Sequence, residues 1–237
     1  MKAALDGPRI PASGGRADGL VVFLHGYGAD GNDLIELGRQ WRALLPATAF
    51  VSPHAPERCA GAPMGRQWFG LSNRPPDDPG GAADRWNGVV RARAPLDAFL
   101  DAELERLGLD DSRLALVGFS QGSMMAMHAG LRRRRAPAAI LAYSGLLVGP
   151  ERLKEATARD ARGAPPPILL VHGDQDPLIP FEAMFMAAEA LAQALIPAQW
   201  HISYGVGHGI DGGGLHHGGL FLSQALNVDR VGSGAAV

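Results

Sequence analysis

The sequence predicts an α/β fold in which a mostly parallel sheet is wrapped by helices on both faces. Three observations predict it. Short apolar runs such as Leu20–Leu24 and Leu114–Val117 suit strands buried on both sides. Such runs alternate along the chain with stretches of helical spacing, which is the order of a parallel sheet covered by helices. One run also passes directly into Gly118-Phe119-Ser120-Gln121-Gly122 and then into a helical stretch. Strand, G-x-S-x-G, helix is the context of a nucleophile elbow.

At 237 residues the chain is long enough for one domain, 1–237, with a full core. Its 22 basic and 24 acidic residues nearly cancel, so no bulk field favours nucleic acid or an anionic membrane. The run Arg132–Arg135 ends a helix, where cations complement the dipole, and reads as a solvated face. The lone cysteine, Cys59, excludes an intrachain disulfide, and its Pro-rich loop suits a buried or incidental thiol better than a nucleophile. No window approaches the roughly eighteen apolar residues of a membrane span, and the N-terminus lacks a long apolar leader. A cytoplasmic protein without stable membrane insertion is expected.

In order, residues 1–18 are punctuated by Pro and Gly and read as irregular or a short edge hairpin. Leu20–Leu24 is a buried strand that ends in His25-Gly26-Tyr27-Gly28. Asn32 or Asp33 caps a helix through about Leu45. Thr48–Ser52 is a second strand. Residues 53–85 read as a loop over the site, enclosing an apolar island from Met64 to Leu71. A helix from about Trp86 to Leu107, adjusted at Pro95, leads into the elbow strand. Ala138–Tyr143 and Ile168–His172 are further strands, with a weak helix near 150–158 between them, which leaves no room for a large cap. Phe181–Leu195 is helical, Gln199–Tyr204 a last strand, and Leu215–Leu226 a last helix.

At the elbow, side chains at 118 and 122 would collide with neighbouring backbone, so glycine fits there, and Ser120 sits strained at a helix N-terminus that favours developing negative charge. A carboxylate just past a strand end is where ligand chemistry collects in open α/β sheets. His172-Gly173-Asp174-Gln175-Asp176-Pro177 offers two. Pro177 keeps Asp176 out of helix and favours it as the acid, while Asp174 suits turn formation. His208, in the glycine-rich loop after the last strand, completes the chain order Ser…Asp…His. His216 and His217 are rivals, but they fall in or beside the final helix. His25, His172 and His201 read as strand-associated packing or hydrogen-bonding residues. The oxyanion donors expected are the amides of Gln121 and Tyr27. Gly26-Tyr27-Gly28 does not extend to a dinucleotide fingerprint, there is no Walker A pattern, and the histidines lack metal-ligand spacing, so no cofactor and no metal are expected.

Four motifs in order, LHGYGADGNDL, GFSQG, HGDQDPLIP and GHG, together resemble the phospholipase/carboxylesterase family of α/β-hydrolases, which includes small bacterial carboxylesterases and acyl-protein thioesterases. The resemblance spans roughly residues 5–226. It implies an α/β-hydrolase fold and a serine hydrolase of carboxylic esters, thioesters or lysophospholipids, with Ser120 as nucleophile, Asp176 as acid, His208 as base and Tyr27 and Gln121 amides as oxyanion donors. It also implies that the Gln67-Trp68-Phe69 segment belongs to a loop over the acyl site. Trp68, Phe69, Met64 and Leu71 are accordingly expected to line an apolar groove for a small ester or acyl substrate, with Phe181 and Met184 as weaker candidates. The same loop could instead pack on a second copy as a homodimer. A departure from the family pattern is the Gly- and His-rich tail IDGGGLHHGGLFL, from which a late start of the last helix is expected. A scaffold that binds without turnover is the alternative, and a peptidase a weaker one. The intact Ser, Asp, His and Gly positions argue against a binding scaffold.

Overall fold

The computed structural model describes residues 4–71, 78–157 and 164–232. In chain order the elements are β1 (Arg9–Ile10), β2 (Gly19–Leu24), α1 (Gly31–Trp41), β3 (Thr48–Val51), β4 (Glu57–Cys59), β5 (Ala62–Gln67) and α2 (Pro79–Leu107). There follow β6 (Leu114–Phe119), α3 (Gln121–Gly130), β7 (Ala139–Tyr143), α4 (Leu153–Thr157), β8 (Ile168–Gly173), α5 (Glu182–Gln193), β9 (Ala198–Ser203) and α6 (Gly212–Gly232). Seven strands form one sheet in the order β1-β3-β2-β6-β7-β8-β9, parallel throughout except for β1 at one edge. This is the α/β-hydrolase architecture, and among the described residues no large cap interrupts it.

Alternation along the strands divides the core into two layers. Leu20, Val22, Leu24, Leu114 and Leu116 face α2, α3 and α5, where they meet Leu96, Leu100, Met125 and Leu191. Val21, Phe23, Ala115 and Val117 face α1 and α6, where Trp41, Phe221 and Leu222 cover them. The elbow helix α3 is buried along its whole length because α2 lies outside it.

The cap of α1 is Asp30, which accepts from Asn32 N, rather than Asn32 or Asp33. Three larger departures from the sequence reading each have a physical cause. The stretch 53–85 is not only loop. It contains the antiparallel pair β4–β5, and α2 begins at Pro79, where a proline at the first helical turn forfeits no hydrogen bond and the Asp78 carboxylate caps Gly81 N. The last helix starts early, at Gly212, because Asp211 caps the amides of Gly213 and Gly214. Its glycines are packing surfaces: a Cβ on Gly218 would lie 2.2 Å from the Tyr143 hydroxyl, so only a bare backbone lets α6 approach the sheet.

The third departure is Arg133. It is 6% exposed rather than solvated, and its guanidinium is held by Asp111 at 2.7 Å, Asp97 at 3.2 Å and Asp101. Burial would lower its pKa, but the hydrogen bonds to Asp101 and Asp111 prevail and raise it.

Beside this network His128 is buried against Trp86, and its Nδ1 has no hydrogen-bond partner among the described residues. Burial, joined by the charges of Arg132 and Arg93, pushes the imidazole down to about 3. It stays neutral in the folded chain while the unfolded chain takes up a proton below about pH 6.5. The folded pKa lies below the unfolded one, so this contribution to stability is fully present above that pH and is lost as the pH falls. Between about pH 7 and pH 5 the loss from this one group is about 2 kcal/mol. Replacing His128 with Leu should flatten the stability profile by that amount, measured as urea unfolding free energy at the two pH values. Equal slopes for both proteins would contradict the assignment.

Candidate active site

The parallel register brings four loops to one edge of the sheet. Leu24 pairs with Gly118, Phe119 with Tyr143, Tyr143 with Val171, and Gly173 with Ser203. The C-terminal ends of β2, β6, β8 and β9 are therefore level, and each is followed by one of the loops singled out in the sequence. Ligand chemistry collects at this edge in open α/β sheets.

Ser120 follows β6 with φ 53° and ψ −116°, a strained conformation for a residue with a side chain. Its amide donates to Tyr143 O at 2.9 Å, and Ser123 Oγ donates to Gly118 O and Tyr143 O, so the turn is over-determined by the neighbouring strand. The flanking glycines are required by contact. A Cβ on Gly118 would come within 2.3 Å of Gly122 O, and one on Gly122 within 1.8 Å of Leu24 O.

The loop after β8 places the Asp176 side chain out of solvent. Its Oδ1 accepts from the amides of Leu178 at 2.8 Å and Ile179 at 3.0 Å, and its Oδ2 lies 2.7 Å from His208 Nδ1. Burial alone would raise the Asp176 pKa. The hydrogen bonds with His208, Ile179 and Leu178 outweigh it and hold the carboxyl below its ordinary range. An ionised carboxylate only accepts, so His208 Nδ1 carries a proton, and in the neutral ring the lone pair is then on Nε2. Asp174 does different work, accepting from Gly205 N at 2.7 Å and tying the acid loop to the histidine loop, which is further fixed by Gln175 N donating to Val206 O. The His208 ring packs on Phe119, next to Ser120, with centroids 4.9 Å apart. His172 Nε2 donates to Ile179 O at 2.9 Å, bracing the same acid loop. The rivals lie elsewhere: His216 and His217 sit on α6, where the His217 ring packs at a tilt against His201 with centroids 4.4 Å apart.

On the other side of the elbow, Gly26 borders Ser120, where a Cβ would fall 3.5 Å from that of the serine. The hairpin holds this loop, with Gly28 N donating to Arg66 O at 2.9 Å and Arg66 N to Ala29 O at 2.7 Å. The Tyr27 hydroxyl is engaged with the buried Cys59 thiol, which raises the Tyr27 pKa. The amides of Tyr27 and Gln121 donate to no protein group among the described residues.

The substrate residues expected from the sequence separate into two groups. Met64 and Leu71 are exposed, the first at 94%. Trp68 and Phe69 are each 1% exposed and belong to the core, so they present no surface to an acyl chain or to a second copy of the protein. The cause is a set of long-range hydrogen bonds: Trp68 Nε1 donates to His25 O, and Gln121 grips the Trp68 amide and the Phe69 carbonyl through its side chain. Met184 is also core, while Phe181 is half-buried against Phe185.

The fold and the strained serine turn define an α/β-hydrolase. The chain belongs to the phospholipase/carboxylesterase family, whose model matches residues 5–225, and by that membership it is a carboxylic ester hydrolase. It is 27% identical over 207 residues to acyl-protein thioesterase 1 of Neurospora crassa, covering 85% of this chain and 84% of that one. To acyl-protein thioesterase 1 of Schizosaccharomyces pombe it is 30% identical over 166 residues, covering 68% and 69% of the two chains. Among solved structures, esterase PE8 superposes with a TM-score of 0.87 at 43% identity, covering 94% of this chain and 100% of that one.

Proposed function

We propose that this protein hydrolyses carboxylic esters, and thioesters by the same route, through two-step acyl transfer at Ser120. The observation that carries the reading is the part-buried Asp176–His208 hydrogen bond, with the His208 ring packed on Phe119, the residue before a serine in a strained elbow. His208 Nε2 takes the hydroxyl proton as Ser120 Oγ bonds to the carbonyl carbon, and the carbonyl π pair moves onto oxygen. The Tyr27 and Gln121 amides receive that oxyanion, each such donor being worth roughly 3–4 kcal/mol. Collapse breaks the bond to the alcohol or thiol, which leaves with the proton from His208. Water, deprotonated by His208, then releases the acid from the acyl-serine. Asp176 stays ionised, holds the ring orientation and stabilises the imidazolium. No other group is required.

Exposed Met64 lies on β5 of the hairpin that braces the Tyr27 loop, Leu71 follows that strand, and Leu178 stands exposed in the loop after β8. These residues offer an apolar surface to a short or medium acyl chain, with no large cap to enclose a longer one. The cytoplasm suits such a protein. Its sole cysteine is buried and unpaired, and among the described residues no helix is long and apolar enough to cross a membrane.

Hydrolysis of p-nitrophenyl esters from acetate to palmitate tests the reading. The expected result is turnover with an optimum at short to medium chains. An optimum at palmitate would contradict the open surface, and absence of turnover on every ester would contradict the proposed activity.

A further inference from the structure

The two amides assigned to the oxyanion follow separate strands, Tyr27 in the loop after β2 and Gln121 at the start of α3 after β6, and their relative position has to be set by something. We infer that His25, Trp68 and the Gln121 side chain form a buried strut that fixes the Tyr27 and Gln121 amides relative to each other, making all three positioning residues of the oxyanion site. The inference rests on the reading of those two amides as the donors.

The strut can be followed bond by bond. His25 Nδ1 lies 2.8 Å from Gly26 O, and since a carbonyl only accepts, Nδ1 carries the proton. Gly26 O and Tyr27 N belong to one peptide unit. With no cis bond among the described residues, that unit is planar and trans, so gripping its carbonyl aims its N–H in the opposite direction. The ring is itself held at the other nitrogen, where Ala55 N donates to Nε2 at 3.0 Å. Both nitrogens are therefore committed in the neutral ring, and burial lowers the imidazole pKa in keeping with that. The ring has no exposure to solvent, so no water competes for these bonds.

From His25 the chain of bonds continues. Its carbonyl accepts from Trp68 Nε1 at 3.0 Å. The Trp68 amide donates to Gln121 Oε1 at 2.9 Å, and Gln121 Nε2 donates to Phe69 O at 2.7 Å. Gln121 is the residue that supplies the second amide. Every link is a polar group buried away from water, where geometry is tightly held and an unmade bond is costly. Displacement of a donor by about 1 Å is enough to lose on the order of 100-fold in rate.

Four variants test this with p-nitrophenyl butyrate turnover and with inhibition by phenylboronic acid, whose serine adduct is tetrahedral and anionic. Trp68→Phe keeps an aromatic side chain in the core but removes the indole N–H together with the pyrrole half of the ring system. His25→Leu removes the grip on Gly26 O, and His25→Asn restores an N–H near the place of Nδ1. Tyr27→Pro removes the amide donor itself. We expect Trp68→Phe and His25→Leu to lower kcat about 10- to 100-fold with KM changed less than about twofold. Phenylboronic acid affinity should fall in parallel, and His25→Asn should recover most of kcat. Wild-type kcat and boronate affinity in Trp68→Phe and His25→Leu, with Tyr27→Pro strongly impaired, would overturn the strut and leave the donor assignment standing. Undiminished kcat in Tyr27→Pro would overturn the donor assignment itself. A loss of kcat in His25→Asn equal to that in His25→Leu would show that an N–H on Gly26 O is not what holds the Tyr27 amide, and would overturn the part of His25 in the strut.

Discussion

Ser120→Ala should lower kcat on p-nitrophenyl butyrate by at least about 10⁴-fold, down to the residual rate that oriented amides and binding alone provide. The expectation follows from the division of labour at the elbow. Without Oγ there is no acyl-enzyme, and His208 has no hydroxyl to deprotonate, so its pairing with Asp176 contributes nothing further. Losses at such a unit are not additive: Ser120→Ala combined with His208→Ala should be about as slow as either alone. The fold should not suffer. Ser120 makes no side-chain cap to α3, and its backbone is held by Tyr143 and Ser123, so thermal unfolding of the variant should match the parent or exceed it through relief of a polar group in a strained turn. Steady-state kinetics with an active-site-independent protein assay measures the first effect. Retention of most turnover would remove Ser120 from the mechanism.

Asp176→Asn should be nearly as damaging, at about 10⁴-fold in kcat with KM little changed. The buried carboxylate accepts from the amides of Leu178 and Ile179 and from His208, and its Oδ2 also lies 3.2 Å from His172 Nε2. An amide has one oxygen to accept with and an NH₂ that donates. If its oxygen stays on the two backbone amides, the NH₂ faces His208 Nδ1, which must then accept, so the proton moves to Nε2 and the base is lost. The pH profile offers a second readout. In the wild type the lowered Asp176 pKa keeps the carboxylate ionised, so its support of His208 persists on the acid side until the pH falls through that lowered value, and its contribution to stability fades in the same acidic window. The variant has no such transition. A variant that keeps wild-type kcat at neutral pH would show that Asp176 only shapes the loop.

Much of this site was legible because its parts follow strand ends, and strand ends are visible as the close of short apolar runs. Ser120, Asp176 and His208 each lie within a few residues of such a run, and the glycines at 118 and 122 mark a backbone contact that any side chain would obstruct. What could not be read depends on partners far apart in the chain. Trp68 lies in a short apolar island within a stretch otherwise rich in Pro, Gly and Asp, which suggests a loop over the site, yet its indole N–H and amide find His25 and Gln121, and burial follows. Arg133 looks solvated within a run of four arginines until α2 and the turn before β6 supply Asp97, Asp101 and Asp111. The glycines of α6 suggest a loop by propensity, but the sheet beneath them demands a helix without side chains at Gly218. In each case tertiary contact overrode a sound local inference. A partial signal for the strut was present, since a histidine and a tryptophan with a glutamine at the elbow are costly to bury unless hydrogen-bonded to something specific.

The central claim is that Ser120 is the acylated nucleophile, and its most direct test is peptide mass spectrometry after treatment with a fluorophosphonate. The account predicts one adduct per chain, carried on Ser120, formed in step with loss of esterase activity and absent from Ser120→Ala. Full inactivation with the adduct on another residue, or esterase turnover that survives complete labelling of Ser120, would contradict it.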